Sequence, residues 1–152
     1  MIPTQNLSTV AKHSPTMSLE ELLEALKELT YEHYIFRKRI EELQSVLDKD
    51  LVSATRDFLV FFDNAVAPHF KREEEIVFPV ILRIRSDEEP LIAQLKDEHK
   101  MIHSLVNNIR ESSVNFAEGL RILFNKMEEH GKKEEPLYQT ILEEVLKKLG
   151  EK

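Results

Sequence analysis

Four stretches of this chain carry apolar residues at alternating steps of three and four, and the same stripes carry histidine and glutamate. That spacing is the inward seam of an amphipathic helix. In the first stretch the stripe is Leu22, Leu26, Leu29, His33, Phe36, Ile40, Leu43 and Leu47. Ser18 with Glu21 three residues on forms a capping box that starts it, and Asp48-Lys49-Asp50 ends it. The second stretch, 51–85, presents Phe58, Phe62, Ala65, His69, Glu73, Ile76 and Val80. Pro68 and Pro79 lie inside it, and each is expected to remove a hydrogen bond and kink the helix. The third begins near Ser86-Asp87, with Pro90 in its first turn, and presents Ile92, Leu95, His99, Ile102, His103, Val106 and Ile109. The fourth follows Ser112-Ser113 and presents Phe116, Leu120, Leu123, Met127, His130, Glu134, Leu137 and Ile141. Four such helices with short connections predict an all-α, antiparallel up-down-up-down four-helix bundle over 18–150. Residues 1–17 read as an irregular, Pro-interrupted leader.

Composition narrows the field. The chain has 152 residues, enough for one domain. With Gly at 3, a turn-rich β fold is disfavoured; with Cys at 0, disulfides and thiolate-held metals are excluded. A net charge of −7 and no basic stripe argue against a nucleic-acid partner. The apolar runs are too short for a membrane span and the N-terminus lacks a signal peptide, so the expected location is cytoplasmic.

Five of the six histidines, His33, His69, His99, His103 and His130, fall on the seams, as do Glu73 and Glu134. His13 lies in the leader and has no assigned role. A lone inward histidine is ordinarily a satisfied core residue. Two glutamates and five imidazoles in one core need a common cause, because a buried carboxylate without a partner costs on the order of several kcal/mol. Bound metal supplies that cause, its charge balancing the carboxylates.

The spacing sharpens this. His69 and Glu73 are four apart, as are His130 and Glu134, and as are His99 and His103. A four-residue step returns to nearly the same helix face, so each pair reaches one centre. Glu74 and Glu135 point away from their histidines, with Glu135 the fallback ligand should Pro136 distort the turn. Counted from the turn near residue 86, Glu73 matches His99 in height and His69 matches His103.

The chain also echoes itself. His69 to Ile76 parallels His130 to Leu137, and Glu32-His33 parallels Glu98-His99. Two half-sites imply two ions bridged by the glutamates. His99, His103 and His130, the two carboxylates and a bridging oxo or hydroxo group give one ion six ligands. His33 and His69 with the same bridges give the other five, leaving an open position for a small molecule. Where the second hairpin has His103, the first has Arg37, read either as a lure for an anionic ligand or as a solvated surface residue. This donor set suits iron, with manganese or zinc as substitutes. Neither the Glu-x-x-His of ferritin-like sites nor the His-Glu-x-x-His of zinc proteases is present.

These residues resemble the hemerythrin-like, or HHE cation-binding, family. The resemblance runs from His33 to Tyr138 through Tyr31-Glu32-His33-Tyr34, His69-Phe70, Glu73-Glu74, Phe78-Pro79, Asp97-Glu98-His99 with His103, Glu129-His130, Glu134-Glu135 and Leu137-Tyr138. It implies a non-haem di-iron centre bridged by Glu73 and Glu134. Relatives bind oxygen, handle nitric oxide or peroxide, sense iron or repair iron–sulfur clusters. Glutamate at both the fourth and fifth positions after His130, Pro136 and the lack of Trp separate this chain from the oxygen carriers. A leader without Cys weakens the repair role. The expected function is reversible binding of oxygen or another diatomic ligand such as nitric oxide, for storage or sensing. The alternatives are an enzyme reducing nitric oxide, peroxide or oxygen, or an iron-handling protein. Tyr34 and Tyr138 are compatible with an enzyme but read more simply as packing. A sensing role calls for a separate redox or signalling partner protein.

Overall fold

A computed structural model describes residues 17–111 and 117–150, so residues 1–16 of the leader, His13 among them, and Ser112-Ser113 and Phe116 lie outside the described residues. Helix α1 is Leu19–Leu47. Helix α2 covers 51–84 as a continuous run of α-helical and wider segments. A short 3₁₀ turn, Ser86–Glu88, leads into α3, Glu89–Glu111. Helix α4 is Ala117–Gly150 and passes through Pro136 without a break. No strand occurs among the described residues.

The ends are set as the sequence implies. The Ser18 hydroxyl accepts from the Glu21 backbone N–H while Glu21 accepts from the Ser18 N–H, completing the capping box. Asp50 caps α2 by accepting from the Ser53 N–H at 3.1 Å. Ion pairs mark the antiparallel order. Asp48 at the end of α1 meets Arg121 near the start of α4, and Asp63 early in α2 meets Arg110 late in α3. Arg85 at the end of α2 meets Glu144 near the end of α4, at 3.3 Å.

All eight seam residues predicted for α1 are buried, and so are the predicted α4 residues from Leu120 to Ile141. Helix α2 departs from expectation. Its prolines follow two π turns, Phe62–Val66 and Glu73–Val77, rather than kinks in a plain α-helix. In each, the backbone bond spans five residues, Ala67 N–H to Phe62 O and Phe78 N–H to Glu73 O. The wider turn makes room for the proline ring and the donor it lacks. It also inserts a residue into the helical phase, so the seam moves. Val66 is buried where Ala65 was expected, and Val77 is buried while Ile76 is 41% exposed.

Two apolar clusters fill the bundle. One, around Phe58, Phe62, Leu123 and Phe124, occupies the end nearer the α1–α2 connection. The other, around Leu22, Phe78, Leu95 and Ile141, occupies the opposite end. The histidines and glutamates form a layer between them. Phe58 is fully buried and edges onto Phe124 at 5.5 Å, so Phe58→Ala is expected to cost about 3–5 kcal/mol. Val52, 72% exposed, is the control: Val52→Ala should change stability by less than about 0.5 kcal/mol in the same denaturant titration.

Candidate metal centre

Six side chains converge in the polar layer. His33 comes from α1, His69 and Glu73 from α2, His99 from α3, and His130 and Glu134 from α4. All six are buried, Glu73, Glu134 and His69 completely. Their ligand atoms form two groups, His33–His69–Glu73–Glu134 and Glu73–His99–His130–Glu134, each within 4.8 Å. The two glutamates belong to both groups, so each can bridge. His69 Nε2 lies 3.1 Å from Glu73, His99 Nε2 3.1 Å from Glu73, His130 Nε2 3.0 Å from Glu134 and His33 Nε2 2.8 Å from Glu134.

The inner atoms are close without being satisfied. His99 Nε2, His130 Nε2, Glu73 Oε1 and both Glu134 oxygens are buried and form no hydrogen bond. Such atoms are costly to bury unless something else binds them. Lone pairs aimed at two shared points from imidazole and carboxylate are the donor set of a divalent or trivalent transition metal. The residues fit a metal pair.

The outer ring nitrogens explain how the imidazoles are held. His69 Nδ1 donates to Glu32 at 2.7 Å, His99 Nδ1 to Glu74 at 2.6 Å and His130 Nδ1 to Glu98 at 2.8 Å. A carboxylate only accepts, so the proton sits on Nδ1 and Nε2 faces the centre. Arg72 braces Glu32 at 3.0 and 3.1 Å, and Lys133 braces Glu98. The Tyr138 hydroxyl donates to Glu73, and its ring stacks on His33 at 5.9 Å. Phe70 stacks on His99 at 3.9 Å. Sequence reasoning missed these three outer carboxylates as anchors, although the repeated Glu-His pairs at 32–33 and 98–99 were their signal. Each glutamate serves the histidine of the next helix rather than its own neighbour.

His33 is the exception. Its Nδ1 is buried with no hydrogen-bond partner. By the internal echo, Glu135 is the counterpart of Glu74 and would anchor it. Glu135 instead pairs with Arg37, its side chain 40% exposed. Glu134 therefore takes the inward position, and the fallback assignment to Glu135 does not arise.

His103 also departs from expectation. It is exposed and lies outside both ligand groups, its ring edging onto Phe62 at 5.2 Å and Phe70 at 6.0 Å. The buried stripe of α3 runs Ile92, Leu95, His99, Ile102, Val106 and Ile109, and His103 sits beside it. A four-residue step overshoots a full turn by about 40°, enough to leave His103 at the edge when Ile102 takes the centre. The two groups are thus matched, two histidines each, rather than three against two.

Electrostatics follow from the burial. Desolvation alone would lower the His69 and His99 pKa values. The glutamates override it, Glu32 and Glu73 raising His69 to about 9, and Glu134, Glu73 and Glu74 raising His99 to about 10. His130 is raised too, by Glu134 against its own burial. Burial would raise Glu134, but the facing imidazoles of His130, His33 and His99 hold it well below the ordinary carboxylate range. Burial and the neighbouring carboxylates push the Tyr138 hydroxyl well above its usual value.

An all-α bundle with two linked His/Glu groups in its core defines a metal-binding helical protein. The profile of the hemerythrin HHE cation binding domain matches residues 19–142, and the chain belongs to that family. No curated protein and no solved structure matches the chain significantly. No helix among the described residues is long and apolar enough to cross a membrane.

Three outcomes follow for metal affinity. Without metal, His69 and His99 hold protons at neutral pH, since their pKa values are about 9 and about 10. A ligating imidazole must lose its inward proton, so metal uptake should release protons and apparent affinity should rise with pH up to that range. Calorimetry in buffers of different ionisation enthalpy reads the release; identical heats would contradict it. Glu98→Gln should weaken binding by about 10–100-fold, and Arg37→Ala, by freeing Glu135 for His33, should instead strengthen retention of the second ion. Competition with a chelator measures both.

Proposed function

We propose that this protein holds a non-haem di-iron centre and binds oxygen or another small diatomic ligand reversibly, for storage or sensing. The observation that carries this reading is the pair of ligand groups sharing Glu73 and Glu134, which opens at His33, His69, His130 and Glu134 into a cavity of about 300 Å³. Two imidazoles and two shared carboxylates per ion leave room for a bridging oxo or hydroxo group and an external ligand. A bound iron pair would supply redox-active metal with an exchangeable position.

The chain's own residues do the rest. Glu32, Glu74 and Glu98 fix three imidazoles, and Tyr138 orients Glu73. Phe36, Ile40, Val66, Phe70 and Met127 line the approach, limiting water and proton entry, which favours reversible binding over turnover. A separate redox or signalling protein would complete a sensing role. Manganese or zinc are the substitutes that this donor set admits.

One observation favours the second reading, an enzyme reducing nitric oxide, peroxide or oxygen. The Tyr138 hydroxyl donates to Glu73 and so holds a proton of its own against a carboxylate of the centre. Tyr34, 48% exposed and stacked on Tyr31, lies away from the centre.

Metal analysis with an optical spectrum in air decides the reading. About two irons per chain are expected, with oxo-bridge bands that shift on adding azide. Protein that takes up no iron anaerobically, and gains no stability from it, would overturn it. With iron bound, release of intact oxygen from the reduced protein supports binding, and consumption of oxygen supports the enzyme.

A further inference from the structure

The cavity over the centre is far larger than a diatomic ligand requires. At about 300 Å³ it has room for on the order of ten water-sized groups, where a diatomic fills about one or two. Its walls are mostly apolar. Phe36 and Ile40 of α1, Val66 and Phe70 of α2 and Met127 of α4 face it, each at most 9% exposed.

Gly131 supplies a second, independent observation. It lies inside α4, directly after His130, and lines the same cavity. Its φ is not positive, so the backbone does not require glycine there. A glycine inside a helix is unfavourable relative to alanine. A Cβ at this position would meet nothing within 4 Å, so no neighbour requires glycine either. What glycine preserves is open space beside the centre.

The charges assign the orientation of an occupant. At the mouth, Arg37 and Lys132 stand with Glu41, Glu128 and Glu135, and Arg37 is already paired with Glu135. With three carboxylates to two cations, the mouth offers an anionic head no net attraction. At the inner end, two metal ions would outweigh the two glutamates and make the floor of the cavity positive.

Resting on the di-iron reading, we propose that this cavity binds an amphiphilic monocarboxylate, its head at the metal centre and its unbranched tail along the apolar wall. The length that fits is about eight carbons, since octanoate has about ten heavy atoms for about ten water-sized places. Affinity rises by about three- to fourfold for each CH₂ buried and levels off once the cavity is full.

The test uses zinc-loaded full-length protein, whose metal content is measured first, and titrates acetate, butanoate, hexanoate, octanoate and dodecanoate by calorimetry. Affinity is expected to climb from acetate to octanoate by on the order of several hundredfold, about three- to fourfold for each added CH₂, and to gain little beyond it. Gly131→Phe fills the chamber and should abolish the gain with chain length while keeping the metal content. Gly131→Ala should keep both the metal and a preference for longer chains. Metal-loaded protein that binds octanoate no more tightly than acetate would overturn the cavity assignment and leave the metal reading standing. Equal chain-length dependence in Gly131→Phe would also overturn it, by placing the tail elsewhere. Protein that takes up no metal would overturn both.

Discussion

Two carboxylates, Glu73 and Glu134, sit fully buried at the centre of a helical bundle, and the rest of the structure is arranged around that fact. Buried charge is expensive unless paired, and imidazoles alone compensate it only while they carry protons. In the absence of metal, protons on His69 and His99, whose pKa values are raised to about 9 and about 10, provide that compensation. With metal, the ions replace them. Metal uptake at such a site would be coupled to proton loss. The apolar clusters above and below the layer carry the packing energy that lets a polar core exist at all.

Much of this was legible in the sequence. The three–four spacing located α1 and α4 almost residue by residue, and the capping box fixed where α1 begins. The His-x-x-x-Glu pairs placed His69, Glu73, His130 and Glu134 together, and the equal heights of Glu73 and His99 brought those two into contact. What was not legible depended on phase. The π turns before Pro68 and Pro79 shift the α2 seam by one residue, turning Ile76 outward and Val77 inward. A fixed 100° step has no means of registering that insertion. His103 lies outside both groups for a related reason. It lies one position from Ile102, and only one of two adjacent residues can take the middle of the stripe.

The outer carboxylates show a different limit. Glu32, Glu74 and Glu98 stand next to seam residues and read locally as solvated charges, yet each reaches across to a histidine of another helix. Cross-helix pairing is a property of the assembled bundle. The internal echo then makes its own exception visible. Glu135 is drawn to Arg37, and His33 alone among the four inward imidazoles lacks an anchor for Nδ1. Arg37 thus holds Glu135 in an ion pair, an arrangement that neither the anion lure nor the solvated-surface reading of the sequence contained. The half-site containing His33 is the less firmly held, and the large cavity opens beside it. Loose ligation and open space on one side are the combination a centre needs to exchange a ligand without losing both ions.

The most direct test of the dinuclear account is anomalous diffraction from crystals of the iron-loaded protein at the iron absorption edge. The account predicts two peaks flanking Glu73 and Glu134, one against His33 and His69 and one against His99 and His130, with the His103 ring outside both. A single peak, or one with His103 in contact in place of His99 or His130, would contradict it.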